Sequence, residues 1–257
     1  MADAVDLWRN DFSVVLVGEI HGSREIPMAV EQLALSAMKQ NVSISIGLEV
    51  EVAEQATVDA YAGEEDAKQL LAGDHWRLED GRASQAIKGL IDFARREPSA
   101  RCFCFDAPVA AARASPAHSR AMAAAALPHI RAEIDRGGGV ILLAGSAHCR
   151  CRGTTFASLL KEALPQTRSL LARWPAKSSV WSYDASNWIR PFGVHKLPTS
   201  GLPIGNEAKL LEVLDSSEDG FDGDLAIGVP LTPSPPARHA YGMATENEGL
   251  PSCCSLA

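Results

Sequence analysis

Four short runs, SVVLVG (13–18), SISIGLEV (43–50), RCFCFDA (101–107) and GVILLAG (139–145), are nearly continuous in apolar residues, and nothing else in the chain restricts the fold as much. A strand with one face in water alternates apolar and polar residues, whereas a strand covered on both faces does not. RSLLARW (168–174) and LAIGVPL (225–231) extend the series. Between these runs the period changes to that of a helix. Ile26, Val30, Leu33 and Ala37 recur at helical spacing, with Pro27 in the first turn where its missing N–H costs nothing. Ile87, Leu90, Ile91 and Ala94 do the same behind Ser84, a suitable N-cap. AHSRAMAAAALPHIRAEIDRGGG (117–139) is a third helix, in which Pro128 is expected to kink or break the rod and Gly137 to Gly139 to stop it. Strand alternating with helix implies parallel pairing, hence an α/β fold with a mostly parallel central sheet flanked by helices. The expected organisation is a single domain over 1–232. From 233 to 257 periodicity is lost, and the expectation there is a loose, disordered C-terminal tail.

Composition narrows the function. The 257 residues carry 32 acidic and 24 basic side chains, a formal net charge of −8, which removes the counterion release that drives nucleic-acid binding. No nucleic acid is expected as a partner. The first residues, MADAVDLWRNDF, lack a basic stretch followed by an apolar one, and no apolar run is long enough to span a bilayer. The expectation is a cytoplasmic protein with no membrane partner. Six cysteines fall in close pairs, Cys102/Cys104, Cys149/Cys151 and Cys253/Cys254, too near in sequence to staple a fold, so reduced thiols are expected.

In open parallel sheets ligands bind beyond the carboxyl ends of the strands, and the polar residues of this chain collect there. Strand one ends in Gly18-Glu19-Ile20-His21, strand two in Gly47-Leu48-Glu49, strand three in Phe105-Asp106, and strand four in Gly145-Ser146-Ala147-His148. With the backbone extended through each end, the period of two aims Glu19 and His21 to one side, and likewise Ser146 and His148. Imidazole nitrogen and carboxylate oxygen then converge, the donor set that suits a divalent ion such as Zn, Mn or Co. Gly18 and Gly145 let the backbone approach closely or turn sharply. Glu49 follows a wholly apolar strand and needs a partner if buried, either a metal or an arginine. Asp106, before Ala-Pro, also suits a turn.

These tetrapeptides, Gly18-Glu-Ile-His21 and Gly145-Ser-Ala-His148, together with Glu49, resemble the signature of the superfamily that gathers the Tiki proteases, the TraB-like proteins, the ChaN-like haem-binding proteins and, more remotely, the erythromycin esterases. The resemblance spans about residues 12 to 231, with looser echoes at Asp80-Gly81-Arg82 and Phe105-Asp106. It implies an α/β fold and a site of two histidines and a glutamate, holding a divalent metal for peptide hydrolysis in the Tiki branch. In the esterase branch one more residue separates Glu from His. The ChaN-like branch is typically exported and binds haem; here Tyr61, Tyr183 and Tyr241 are the phenolate candidates, and aromatic residues make up 6% of the chain to wall a porphyrin.

Other constellations are weaker. Cys149 and Cys151 beside His148 fit small packing residues better than ligands. DSSEDGFDGDL (215–225) opens like a calcium loop but places Ala226 where a bidentate Glu is required. Nucleophile-elbow, phosphate-loop and dinucleotide motifs are missing. Trp76, Asp80 and Arg82 lie between strands two and three on the side where the site opens; Arg82 either holds a substrate carboxylate or pairs with Asp80. His75 is a candidate third histidine for the site, although a histidine in a polar loop is usually solvated. The reading is a metal-dependent hydrolase of a peptide, ester or lactone bond in a small-molecule or peptide substrate. His21, Glu49 and His148 hold the metal, Glu19 or Glu49 serves as general base, and Asp80, Arg82 and Asp106 contact substrate. The alternative is a non-catalytic protein of the ChaN-like type that binds haem through an imidazole.

Overall fold

The computed structural model of the protein describes residues 13–61, 66–107, 115–183, 192–198, 211–214 and 220–243. Its centre is a seven-stranded sheet built from β1 (Val14–Glu19), β2 (Ile44–Glu51), β3 (Ala100–Asp106), β4 (Gly139–Gly145), β5 (Thr167–Arg173), β8 (Leu211–Leu214) and β9 (Gly223–Ile227). The order is β3-β2-β4-β1-β5-β9-β8, with every pairing parallel except the one that joins edge strand β8 to β9. A separate antiparallel pair is formed by β6 (Ser179–Tyr183) and β7 (Phe192–Lys196). Helices α1 (Glu25–Met38), α4 (Gln85–Arg96), α5 (Pro116–Asp135) and α7 (Phe156–Ala163) flank the main sheet, and short helices α2 (Gln55–Ala60), α3 (Ala67–Leu70) and α6 (Ser146–Cys149) fill the connections.

The apolar runs are explained by burial on both sides. In β1, Val15 and Val17 enter the core under α1 and α4, while Val14 and Leu16 enter the core under α5 and α7. In β4, Ile141 and Leu143 take the first side and Val140, Leu142 and Ala144 the second. From Val14 to Val17 in β1 and from Val140 to Ala144 in β4 every position is therefore apolar. Helix α1 buries Ile26, Val30, Leu33 and Ala37 as its spacing requires, and the Ser84 side chain caps α4 by accepting from the backbone N–H of Ile87.

The break allowed for at Pro128 and the extended run past β4 do not occur, for identifiable reasons. Helix α5 runs through Pro128 without interruption. Pro128 and Ala124, the residue whose carbonyl loses its partner, both face solvent, where water replaces the missing bond, while Met122, Ala126 and Ile130 anchor both halves to the sheet. The chain also does not stay extended past β4. It turns at once into α6, so Ser146 and His148 are not on one side of a strand.

Residues 233–243, where a tail was expected to begin, pack against the body. Pro233 bridges Ser23, Pro236 bridges Ser84, and Ala237 is fully buried at the start of a 3-10 turn (Ala237–Tyr241). Prolines satisfy this segment because it needs few N–H donors. Residues 244–257, with Cys253 and Cys254, lie outside the described residues, as do residues 215–219 of the acidic loop and the side chain of Tyr183. Among the described residues no helix is long and apolar enough to cross a membrane.

Candidate functional site

The strand order fixes where the loops diverge. From β1 and β2 the chain leaves toward the β3 edge through α1 and α4, on one face; from β4 it leaves toward β5 through α7, on the other. Between such strands the connecting loops part and a crevice opens at their carboxyl ends. Glu19, His21, Glu49 and His148 come from the ends of these three strands.

They meet. His21 Nδ1 lies 3.0 Å from Glu19 Oε1, as the shared parity of the two residues requires. Glu49 Oε1 stands 4.0 Å from His21 Nε2 and 3.7 Å from His148 Nε2, while its Oε2 accepts a 2.7 Å hydrogen bond from the Gly145 N–H. Both glycines of the paired tetrapeptides are explained by space, and each serves the other motif. A Cβ on Gly145 would sit 2.8 Å from His21 Nε2, and a Cβ on Gly18 would press within 3.0 Å of Cys149 Cβ in the turn that carries His148. Gly22, at φ +78°, finishes the first motif; a side chain there would collide with the Trp181 carbonyl of β6.

Electrostatics divides the four groups. Burial opposes charge on His21, yet the hydrogen bond that its Nδ1–H donates to Glu19 and the Glu49 charge outweigh it and push its pKa up to about 9. Burial raises Glu19, in part against the pull of His21. Glu49 is held below its ordinary value: burial would raise it, but His21, His148 and the Gly145 N–H prevail. His148 is pushed down by burial against the attraction of Glu49, and its Nδ1 is buried without a hydrogen-bond partner. The resting state is a His21 imidazolium facing a Glu49 carboxylate, with His148 neutral.

Gly145→Ala tests this arrangement. The new methyl meets only the end of a side chain that can swing away, so the fold should persist while His21 leaves Glu49. The His21 pKa, followed by NMR, should fall from about 9 toward 6.5; a His21 titration that stays at the wild-type value would refute the close approach.

Arg82 and Asp80 pair with each other, Arg82 Nε donating to Asp80 Oδ2 at 2.9 Å. The other guanidinium nitrogen, Nη1, has no hydrogen-bond partner, stands 3.8 Å from Asp106 Oδ2, and is 93% buried with the rest of the residue at the same cleft as Glu19, His21 and Glu49. Asp106 joins His118 Nε2 through a 2.6 Å contact, a partner that the sequence did not single out. The signal was the placement of His118 in the first turn of a helix behind its cap, Ser115. His75 is not solvated but wholly buried beside Trp76, because the 3-10 turn His75–Arg77 tucks under β2 and the Glu51 N–H donates to His75 Nδ1. Cys149 is a packing residue, fully buried, its thiol pushed up by burial. Cys102, Cys104, Cys149 and Cys151 are free thiols.

The donor types suit a divalent ion, but the spacing does not. Bonds of about 2.0–2.2 Å place neighbouring donors about 3.3–3.6 Å apart around a tetrahedral ion, closer than Glu49 stands to either imidazole. Among the described residues no three His, Cys, Asp or Glu side chains are grouped to hold a metal. Haem fits less well. The cleft lined by Glu19, His21, Glu49, Val50, Arg82 and Ile87 is closed down to about 0 Å³ of space for a water-sized sphere, against the roughly 300–1,000 Å³ of ordinary ligand sites. Tyr61 donates to Asp92 at 2.7 Å, and burial together with that bond raises its phenol to about 12, which opposes a phenolate ligand.

The chain matches solved structures of the same architecture. It is similar to a Bacillus cereus protein at 10% identity and TM-score 0.57, covering 92% of this chain and 94% of that one. A succinoglycan biosynthesis protein is similar at 11% identity and TM-score 0.53, covering 91% of each chain. The fold is shared. At such identities activity does not follow from it. A weaker likeness, TM-score 0.39 at 14% identity over 66% of this chain and 84% of the other, is to ChaN of Campylobacter jejuni, described with cofacial haem binding. No protein-family model and no curated protein matches the sequence.

Proposed function

We propose that the protein is a hydrolase that cleaves a peptide, ester or lactone bond of a small-molecule or peptide substrate at the carboxyl ends of β1, β2 and β4. The observation that carries the reading is the position of Glu49 Oε1, which faces the Nε2 atoms of both His21 and His148 while Glu19 holds the far nitrogen of His21. An acid and a base with pKa values pushed apart by their surroundings are what bond hydrolysis at neutral pH requires. Glu49, held anionic, takes a proton from water as the water oxygen adds to the carbonyl carbon. His21, held protonated, gives its Nε2 proton to the leaving oxygen or nitrogen as that bond breaks. Proton transfer from Glu49 to His21 restores both. Arg82 Nη1, held by the Asp80 pairing and without a hydrogen-bond partner of its own, stabilises the negative charge that develops on the carbonyl oxygen.

Zn, Mn or Co is the finer form of the reading, with His21, Glu49 and His148 as the residues that would hold the ion. Its chemistry would be to acidify a water and polarise the carbonyl. The present spacing requires the imidazoles to close on Glu49, and no step above runs through the ion. The two tetrapeptides and Glu49, in the arrangement that resembles the Tiki branch, support the same class of chemistry.

The test is a panel of ester, lactone and peptide substrates assayed with protein as purified, after EDTA treatment, and with Zn, Mn or Co restored. Turnover is expected, and His21→Ala should lose it while remaining folded. EDTA sensitivity reversed by one ion would establish the metal form. No turnover under any condition, with a stoichiometric Soret shift on hemin addition that His21→Ala or His148→Ala abolishes, would replace the hydrolase by a haem-binding protein.

A further inference from the structure

Behind the four strand-end residues lies a second pair, and its placement is not random. Asp106 closes β3 at the same edge of the sheet and is 1% exposed; His118, in the first turn of α5, is 3% exposed, and its Nε2 lies 2.6 Å from Asp106 Oδ1. The other Asp106 oxygen stands 3.8 Å from Arg82 Nη1. On its far side the His118 ring meets the ring of His148 edge to face, with centroids 5.3 Å apart and planes at 80°. The polar side chains therefore form one continuous row across the strand ends: Arg82, Asp106, His118, His148, Glu49, His21, Glu19.

His148 has little else to orient it. Nε2 faces Glu49 across 3.7 Å, longer than a hydrogen bond, and Nδ1 has no hydrogen-bond partner. A neutral imidazole with one long contact and one unpartnered nitrogen would rotate about χ2 or exchange tautomers unless its faces were walled. The geometry points to His118 as a positioning residue: pinned by Asp106, its ring locks the His148 ring in the rotamer whose Nε2 faces Glu49, and the carboxylate there then selects the Nε2–H tautomer. Edge-to-face contacts of this kind are directional, and a ring held at its far end by a buried carboxylate cannot turn to relax. The inference deepens the hydrolase reading by giving His148 its orientation, and it concerns the state of one ring whether or not turnover is found.

The experiment is ¹⁵N NMR of the histidine rings in full-length protein near neutral pH, with His148 assigned by its loss in His148→Gln. In the wild type the two His148 nitrogens should be widely separated, as a single tautomer gives. In His118→Ala they should move toward a common averaged value. His118→Gln, whose amide can still donate to Asp106 and so protects the fold, should show the same averaging because it lacks the ring. Asp106→Asn, nearly isosteric, should give an intermediate separation. If either folded His118 variant leaves the His148 nitrogens at their wild-type positions, His118 does not position His148. Averaged nitrogens in the wild type would also overturn the inference.

Discussion

Glu49→Gln is expected to leave the protein folded and to lower hydrolysis by about 10²–10⁴-fold, the usual worth of a positioned general base. Glutamine is isosteric, and its side-chain oxygen can still accept from the Gly145 N–H, so the end of β2 keeps its contact with the end of β4. What disappears is the charge between two imidazoles. Glu49 supports the raised pKa of His21 and opposes the lowering of His148, so in the variant the His21 pKa should fall below about 9 and that of His148 should fall further. The pH profile of the wild type follows from the same assignments. Activity should decline as pH rises through about 9, where His21 loses the proton it must donate, and as pH falls through the depressed pKa of Glu49, where the base becomes protonated. Between these limits the rate should be level. A folded Glu49→Gln protein that turns over substrate at the wild-type rate would remove Glu49 from the chemistry.

The second large effect is on stability in acid, and it comes from a residue outside the catalytic chemistry. His75 is wholly buried; burial, with the Arg82 charge adding to it, lowers its pKa from 6.5 to about 3. The unfolded chain takes up a proton at the ordinary histidine pKa while the native state does not. Between those two values the unfolded state binds more protons, so stability is full above pH 6.5 and falls as pH drops toward 3. At about 1.4 kcal/mol per unit, going from pH 7 to pH 4.5 should cost on the order of 2.5 kcal/mol from this group. Carboxylates titrate in the same range in both directions, Asp80 lowered and Glu51 and Glu54 raised, so the isolating measurement is a comparison. His75→Asn keeps an acceptor for the Glu51 N–H but cannot titrate. Urea melts at both pH values should show the wild type losing about 2.5 kcal/mol more than His75→Asn on acidification. Equal losses would mean that His75 becomes protonated inside the fold.

The strands of the inner sheet and the helices that cover them were legible because each is set by local pattern: continuous apolar runs for β1 and β4, period 3.6 for α1 and α4, a serine cap read correctly at Ser84. The pairing of Glu19 with His21 was legible for the same reason, since both lie on or beside one strand and share its parity. The convergence of the Glu19–His21 pair with Glu49 and His148 could be anticipated from the rule that loops part at strand ends, but their distances could not. Those depend on sheet order, which places β4 between β2 and β1 and so sets Gly145 under the His21 ring.

Features decided by long-range contact were not legible. Pro128 argues locally for a break, and the helix continues because its buried face holds while the orphaned carbonyl lies on the exposed face, open to water. His75 looks like a solvated loop residue, and tertiary packing of a 3-10 turn buries it. His118 carries no motif of its own; it acquires a place only because α5 starts where β3 ends and its first turn faces Asp106 and His148. What the sequence determined by itself was the period of each element and the chemical kind of residue at each strand end. Which of those residues touch, at what separation and with what charge, was decided by the tertiary structure, because burial and neighbouring charge belong to an environment assembled from residues far apart in the chain.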